Sequence, residues 1–202
     1  PHMGGSPFNM ARAAALHGAS VSYLNPLSTD LFGQGMAQQL HKDGVQLAGG
    51  STVLPTSLAL VQVTDGQPQY SFYREGIAGR DYSVDSILAL LRQQAKPGIL
   101  HTGSLLLIPP EHTKIAKILK AARDLGWTIS VDINLRPKVA KDLAPYVLAL
   151  RDIIALTDWL KASDEDLLTL GLTQVGIAES ARSVGELRAG TPAGTLSRVA
   201  LT

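Results

Sequence analysis

Helix-length amphipathic runs alternate with short aliphatic runs along most of this chain, and glycine closes several of the helices. Ser6-Pro7 reads as a helix start, an N-cap hydroxyl followed by proline at the first helical position, where its missing N–H is not needed. Phe8 to His17 is then helical, with Gly18 as its left-handed stop. Val21–Leu24 reads as a strand, and Asp30 caps a helix over Leu31 to Lys42 that Gly44 closes. The pattern continues with a helix over Val84–Gln93, a strand over Ile99–Thr102, a helix from Pro110 to Leu125 stopped by Gly126, and a strand over Trp127–Ile133. Lys141–Leu150 is expected as helix and Ile153–Thr157 as strand. Helices over Ser163–Leu170 and Ile177–Arg188 and a last strand over Leu196–Leu201 complete the series. Such alternation implies right-handed β-α-β crossovers, hence a parallel sheet covered by helices on both faces.

One segment breaks this rhythm. Ser57–Thr64 and Gln69–Arg74 flank Asp65-Gly66, the strongest short hairpin signal. Tyr70, Phe72 and Arg74 fall on one face of the second arm, with Ser71 and Tyr73 on the other. The expectation is one α/β domain with a hairpin over about residues 56–75 projecting from the sheet edge. The glycine- and threonine-rich stretch Ala189–Thr195 reads as a surface loop.

Composition excludes several classes. Lys plus Arg is 18 against 17 for Asp plus Glu, with no basic block, so a nucleic-acid partner has no electrostatic footprint. Cysteine is absent, which removes disulfides, thiolate metal sites and cysteine nucleophiles. The longest apolar runs, such as Leu105–Ile108, are too short for a bilayer, so no membrane partner and a cytoplasmic location are expected. Pro1-His2-Met3 reads as a cloning remnant, and residues 4–202 as a partial domain cut at both ends.

Ligands of open α/β sheets collect beyond the carboxyl ends of the strands. Gly4-Gly5 before a helix lets backbone approach a polar ligand, with the Asn9 amide in the first turn; a flexible start and a well-capped helix explain the same residues. Asp132, Asn134 and Arg136 share one side of an extended segment, an arrangement that can read hydroxyls and hold an anion. An Asp–Arg pair fixing the loop is the alternative. Asp164, Glu165 and Asp166 could organise a metal-bound phosphate through water, but Ser163 with Asp166 also spells a capping box. The face of Tyr70, Phe72 and Arg74 could close over a sugar or pack against a second subunit. His101, at another strand end, reads as a structural hydrogen-bonder. No Walker A, GxGxxG, GxSxG or HExxH pattern occurs.

In order, these segments resemble the ribokinase-like (PfkB) carbohydrate kinases, especially their fructokinase-like branch. Gly4-Gly5-Ser6-Pro7-Phe8-Asn9-Met10-Ala11 matches the family's GG-x-x-x-N-x-A signature. Pro26 to Gly33 resembles its G-x-D-x-x-G stretch, with Leu27 and Ser28 where a glycine is common. Thr56 through Arg74 resembles the lid hairpin and its terminal Phe-Tyr-Arg, and Asp132 to Arg136 matches D-x-N-x-R. Lys161 to Asp166 corresponds to N-x-x-E, with Ser163 for Asn and Asp166 for Glu.

The resemblance implies a three-layer α/β sandwich with a mostly parallel sheet and a β-hairpin lid, incomplete here. It implies ATP-dependent phosphorylation of a hydroxyl on fructose or a related keto sugar, with magnesium in the complete enzyme. Gly4, Gly5, Asn9, Phe72, Arg74, Asn134 and Arg136 would serve sugar binding; Lys161, Ser163 and Asp166 would lie toward the phosphates; the metal ligands are unassigned. It also implies a homodimer through the lid. The family's D-T-x-G-A-G-D segment, with the general base and an anion hole, does not occur in these residues, so the fragment is expected to be inactive alone. The rival expectation is a non-catalytic remnant or interaction module that keeps the sugar-side fold and the lid as a dimer surface.

Overall fold

The computed structural model describes residues 2–64, 67–171 and 198–201. Its contacts divide the chain into two compact units, one up to Leu90 and one from Leu91 onward. The first unit runs through α1 (Ser6–Leu16), β1 (Ser22–Tyr23), β2 (Leu27–Ser28), α2 (Leu31–Lys42), β3 (Gln46–Leu47) and β4 (Ser51–Thr52). Then come β5 (Leu58–Thr64), β6 (Gln67–Tyr73) and α3 (Val84–Arg92). Strand β1 pairs with β3 and β2 with β4, both in parallel. Phe8 and Ala11 of α1 pack with Leu27, Leu40 and Val45 into one buried cluster, so the first helix is a core element of this unit.

Helix α1 departs from expectation at its start. Ser6 is already helical, Gly5 is the N-cap, and no side chain caps the turn. Gly5 sits at φ 112°, a conformation that glycine adopts without the Cβ penalty, so the boundary falls one residue earlier than the serine signal suggested.

Helix α2 starts where Asp30 predicts, and Asp30 does more than cap it. Its Oδ1 accepts from Gly33 N at 2.7 Å and from the Thr56 hydroxyl at 2.7 Å, while Oδ2 accepts from Thr56 N at 2.8 Å. One carboxylate therefore ties the start of α2 to the chain entering β5. Gly33 is required by proximity, since a Cβ there would lie 2.1 Å from the Ser28 carbonyl oxygen.

Strands β5 and β6 form the expected antiparallel hairpin, with Leu58 opposite Tyr73 and Val61 opposite Tyr70. Its Asp65-Gly66 turn lies outside the described residues. The hairpin's root is cross-linked: Ala78 N donates to Pro55 O at 2.9 Å, Asn25 Nδ2 to Gly79 O at 2.8 Å, and Arg80 Nη1 to Arg74 O at 2.9 Å.

The second unit is built on a parallel sheet in the order β10-β9-β8-β7, from β7 (Ile99–Gly103), β8 (Thr128–Asp132), β9 (Trp159–Ala162) and β10 (Arg198–Leu201). Between the strands lie α4 (His112–Asp124), α5 (Leu143–Ile154) and α6 (Asp164–Thr169). One sheet face carries Leu100, Thr102, Ile129, Val131, Leu160 and Ala162, all buried. Helix α4 buries Ile115, Ile118, Leu119 and Ala122, in contact with β8 and α5.

The expected strand over Ile153–Thr157 is instead the last two residues of α5 and the turn that follows it, and the strand is Trp159–Ala162. Tyr146, Ala149, Leu150, Ile153 and Ile154 recur at helical spacing and are all buried. Burying each isoleucine is worth roughly 1.5–3 kcal/mol, against strand preferences that span about 1 kcal/mol. Packing therefore outweighs β-branching. The helix expected over Ile177–Arg188 and the loop over Ala189–Thr195 lie outside the described residues. Among the described residues, no helix is long and apolar enough to cross a membrane.

Burial opposes ionisation of Asp30, yet hydrogen bonds from Thr56, Gly33 and Ser28 prevail and hold its carboxyl down at about 2, against an ordinary 3.8. The stabilisation from this lowered pKa is present above pH 3.8 and is lost as pH falls toward about 2. Asp30→Ala should cost about 1–2 kcal/mol at neutral pH. Urea unfolding across that acid window should show the gap between variant and parent closing; an undiminished gap would contradict the assignment.

Candidate functional site

The carboxyl edge of the second unit's sheet carries the densest polar chemistry. Parallel register sets Gly103, Asp132 and Lys161 in one row, with His101, Ser130 and Trp159 in the row behind. Asp132 Oδ1 accepts from Lys161 Nζ at 3.1 Å. Lys161 is half exposed and Asp132 nearly buried, so the carboxylate orients an ammonium that still reaches solvent. His101 Nδ1 lies 3.0 Å from the Ser130 hydroxyl. Its pKa is lowered, first by burial and further by Lys161, with Asp132 opposing. That environment fits the structural role expected for His101.

Beyond Asp132 the chain turns sharply. Ile133 and Leu135 are buried, whereas Asn134 takes φ 40° and its Nδ2 donates to the Ser104 hydroxyl at 3.3 Å. The expectation that Asp132, Asn134 and Arg136 share one side of an extended segment fails here, because a left-handed residue ends the alternation. The alternative Asp–Arg pair is not formed either, since Asp132 pairs with Lys161. Arg136 is exposed and makes no ion pair among the described residues. Ser104 was not singled out in the sequence, where a serine after Thr102-Gly103 carries no sign of a left-handed backbone.

Ser163 and Asp166 form the full reciprocal capping box, with Ser163 Oγ accepting from Asp166 N at 3.1 Å and Asp166 Oδ2 from Ser163 N at 2.9 Å. Asp166 Oδ1 accepts from Leu135 N at 2.8 Å. Both carboxylate oxygens are thus committed to backbone N–H groups, and the residue is buried. Asp166 is therefore unsuited to direct metal ligation, and no group of His, Cys, Asp or Glu that could hold a metal ion occurs among the described residues. What Asp166 does is fasten the Asn134 loop to the start of α6.

The remaining expected residues lie in the first unit. Gly4, Gly5 and Asn9 are exposed at the start of α1, and Asn9 N donates to Gly5 O at 2.9 Å. On the hairpin, Tyr70 and Phe72 share a face and stack, with ring centroids 6.0 Å apart at 11°. Arg74 lies just past the end of β6 and its side chain is buried, so it is not displayed alongside the exposed Tyr70.

A parallel sheet whose carboxyl edge gathers Lys161, Asn134 and Arg136 suits an anionic, hydroxyl-bearing ligand. Residues 1–192 match the model of the pfkB family carbohydrate kinases. The chain belongs to this family. A fructokinase of Rhizobium leguminosarum bv. trifolii is 31% identical over 173 residues, which are 85% of this chain and 52% of that protein. The 2-dehydro-3-deoxygluconokinase of Bacillus subtilis is 29% identical over 188 residues, 88% of this chain and 56% of that protein. Fructokinase from Xylella fastidiosa with bound ATP superposes with a TM-score of 0.80 at 26% identity, covering 98% of this chain and 60% of that one. The chain thus spans about half the length of the curated relatives it matches. Its α/β fold is ribokinase-like, as expected from the sequence, with the parallel sheet and its helices in place.

Asp166→Ala would strand the N–H groups of Leu135 and Ser163 and should cost roughly 2–4 kcal/mol of unfolding free energy. Asp166→Asn, with a single acceptor oxygen, should fall between parent and alanine variant. Equal urea midpoints for all three would remove the anchoring role.

Proposed function

We propose that this chain is part of an ATP-dependent sugar kinase that transfers a γ-phosphate to a primary hydroxyl of fructose or a related keto sugar. The carrying observation is the Asp132-oriented Lys161 beside the Asn134–Arg136 turn, in a chain of the pfkB family. In this reading Asn134 and Arg136 are sugar ligands of the second unit; in the first unit, taken by itself, Gly4, Gly5, Asn9 and Phe72 are exposed enough to contact a polyol, whereas the buried Arg74 supports the hairpin's root. Lys161 faces the phosphates, and Ser163 and Asp166 support that side through the α6 cap. Phosphoryl transfer depends on positioning and on compensating charge that spreads over the phosphate oxygens. Lys161 and Arg136 bring positive charge; the Asn134 carboxamide fixes a hydroxyl. In the complete enzyme magnesium would accompany ATP and supply further compensating charge at the phosphate oxygens. The proposed location of this ATP-fed reaction is the cytoplasm.

The hairpin is the proposed lid. Tyr70 and Phe72 would cover an apolar face of the sugar, and the opposite face displays Leu58, Leu60 and Tyr73, all exposed. A two-stranded ribbon with both faces wet is marginal in water, which favours pairing with a second copy of the chain. That surface also supports the second reading, an interaction module without catalysis. Light scattering should give a discrete dimer that Leu60→Lys converts to monomer; a monomeric parent would remove the lid interface.

In the complete enzyme, ADP release over a sugar panel should be greatest with fructose or a related keto sugar. Arg136→Ala should lower kcat/KM by about 10²–10³ while leaving the unfolding midpoint in place, since the side chain is exposed. The 202 residues alone should release no ADP in the same assay. A complete enzyme inactive on every sugar would leave the interaction module standing.

A further inference from the structure

Among the described residues, the non-glycine residues with left-handed backbone are Ser104, at φ 57°, and Asn134, at φ 40°. They stand thirty positions apart in sequence and meet through their side chains, Asn134 Nδ2 donating to Ser104 Oγ at 3.3 Å. Asparagine visits this region readily; serine does so at a cost that glycine would avoid. Strain of this kind persists where the surroundings over-determine it, and it gathers at ligand clamps.

The surroundings here are specific. A Cβ on Gly103 would lie 2.2 Å from the Asp132 carbonyl oxygen, so β7 and β8 end in close backbone contact and the chain turns aside immediately after each. Ser104 is 7% exposed, too buried to serve as a ligand itself. Its hydroxyl is nevertheless in place to hold the amide end of Asn134. The carboxamide's Oδ1 is then the atom left to accept a hydrogen bond from a ligand hydroxyl.

We propose that Ser104 is a positioning residue for Asn134, orienting its carboxamide so that Oδ1 accepts from a polyol hydroxyl. This rests on the reading of Asn134 as a sugar ligand, but the orientation itself can be tested without any sugar. Ser104→Gly removes the hydroxyl while accepting the left-handed backbone freely, so the unfolding midpoint should stay within a few degrees of the parent.

With asparagine side chains labelled with ¹⁵N, the Asn134 amide protons in the parent should exchange with solvent at least about tenfold more slowly than those of exposed Asn9. Ser104→Gly should shift the Asn134 pair and bring its exchange up to the Asn9 rate. Fructose affinity by calorimetry should weaken about 3- to 10-fold in Ser104→Gly, and that loss should vanish in an Asn134→Ala background.

Parent Asn134 protons exchanging as fast as those of Asn9 would overturn the proposal, and that measurement needs no variant to fold. So would resonances unmoved by Ser104→Gly, or an affinity loss that persists without Asn134. A parent chain that binds no sugar, yet shows the expected exchange difference and resonance shift, would remove the sugar reading and leave the positioning of the carboxamide intact.

Discussion

A helix-capping aspartate that also accepts a backbone N–H from a second loop is the constraint on which both units depend. In the first unit Asp30 caps α2 through Gly33 and receives Thr56, at the entrance to the hairpin. In the second, Asp166 takes part in the capping box of α6 and receives Leu135, within the turn after β8. Each carboxylate satisfies amides that would otherwise face no partner, and charge-assisted bonds of this kind are stronger than neutral ones. A loop carrying candidate ligands is thereby fixed to a helix instead of relying on its own weak turn preferences. The same logic explains why Asp166 is a poor metal ligand: its oxygens already have occupants.

Close backbone approach is the second constraint. Gly33 lets α2 lie on the Ser28 carbonyl, and Gly103 lets the end of β7 touch that of β8. A methyl group at either place would force the backbone apart by more than a side-chain adjustment could absorb. At Gly103 the effect reaches the candidate site, because the separation of those strand ends sets where Ser104 and Asn134 meet.

Much of this was legible in the sequence. Asp30, the capping box at Ser163, the hairpin arms and the strands Ile99–Gly103 and Thr128–Asp132 all stand where local chemistry puts them, because their signals act over a few residues. The errors arose where long-range packing decided. Ile153 and Ile154 have strand-like side chains but complete a helical stripe, and the boundary moved with them. Two-residue strands such as Leu27–Ser28 and Gln46–Leu47 carry too little pattern to be seen before their partners are known. At the candidate site, alternation assigned Asp132 the wrong neighbours. The left-handed turn at Asn134 and the pairing with Lys161 depend on β7 and β9, which lie far away in sequence.

The charge balance along that carboxyl edge bears on what it can hold. Burial keeps His101 from protonating readily, so the cations there are Lys161 and Arg136, set against Asp132 and the acids Asp164, Glu165 and Asp166 at the start of α6. Asp132 offsets part of the Lys161 charge while fixing its direction, and Arg136 remains exposed. A stronger cluster would bind an anion tightly in the ground state and gain nothing in rate, since only interactions that strengthen as the transition state forms accelerate the reaction. Under the proposed kinase reading, a tethered ammonium and a solvent-facing guanidinium would suit a phosphate that must arrive, transfer and leave, and the neutral His101 behind them would add no third cation.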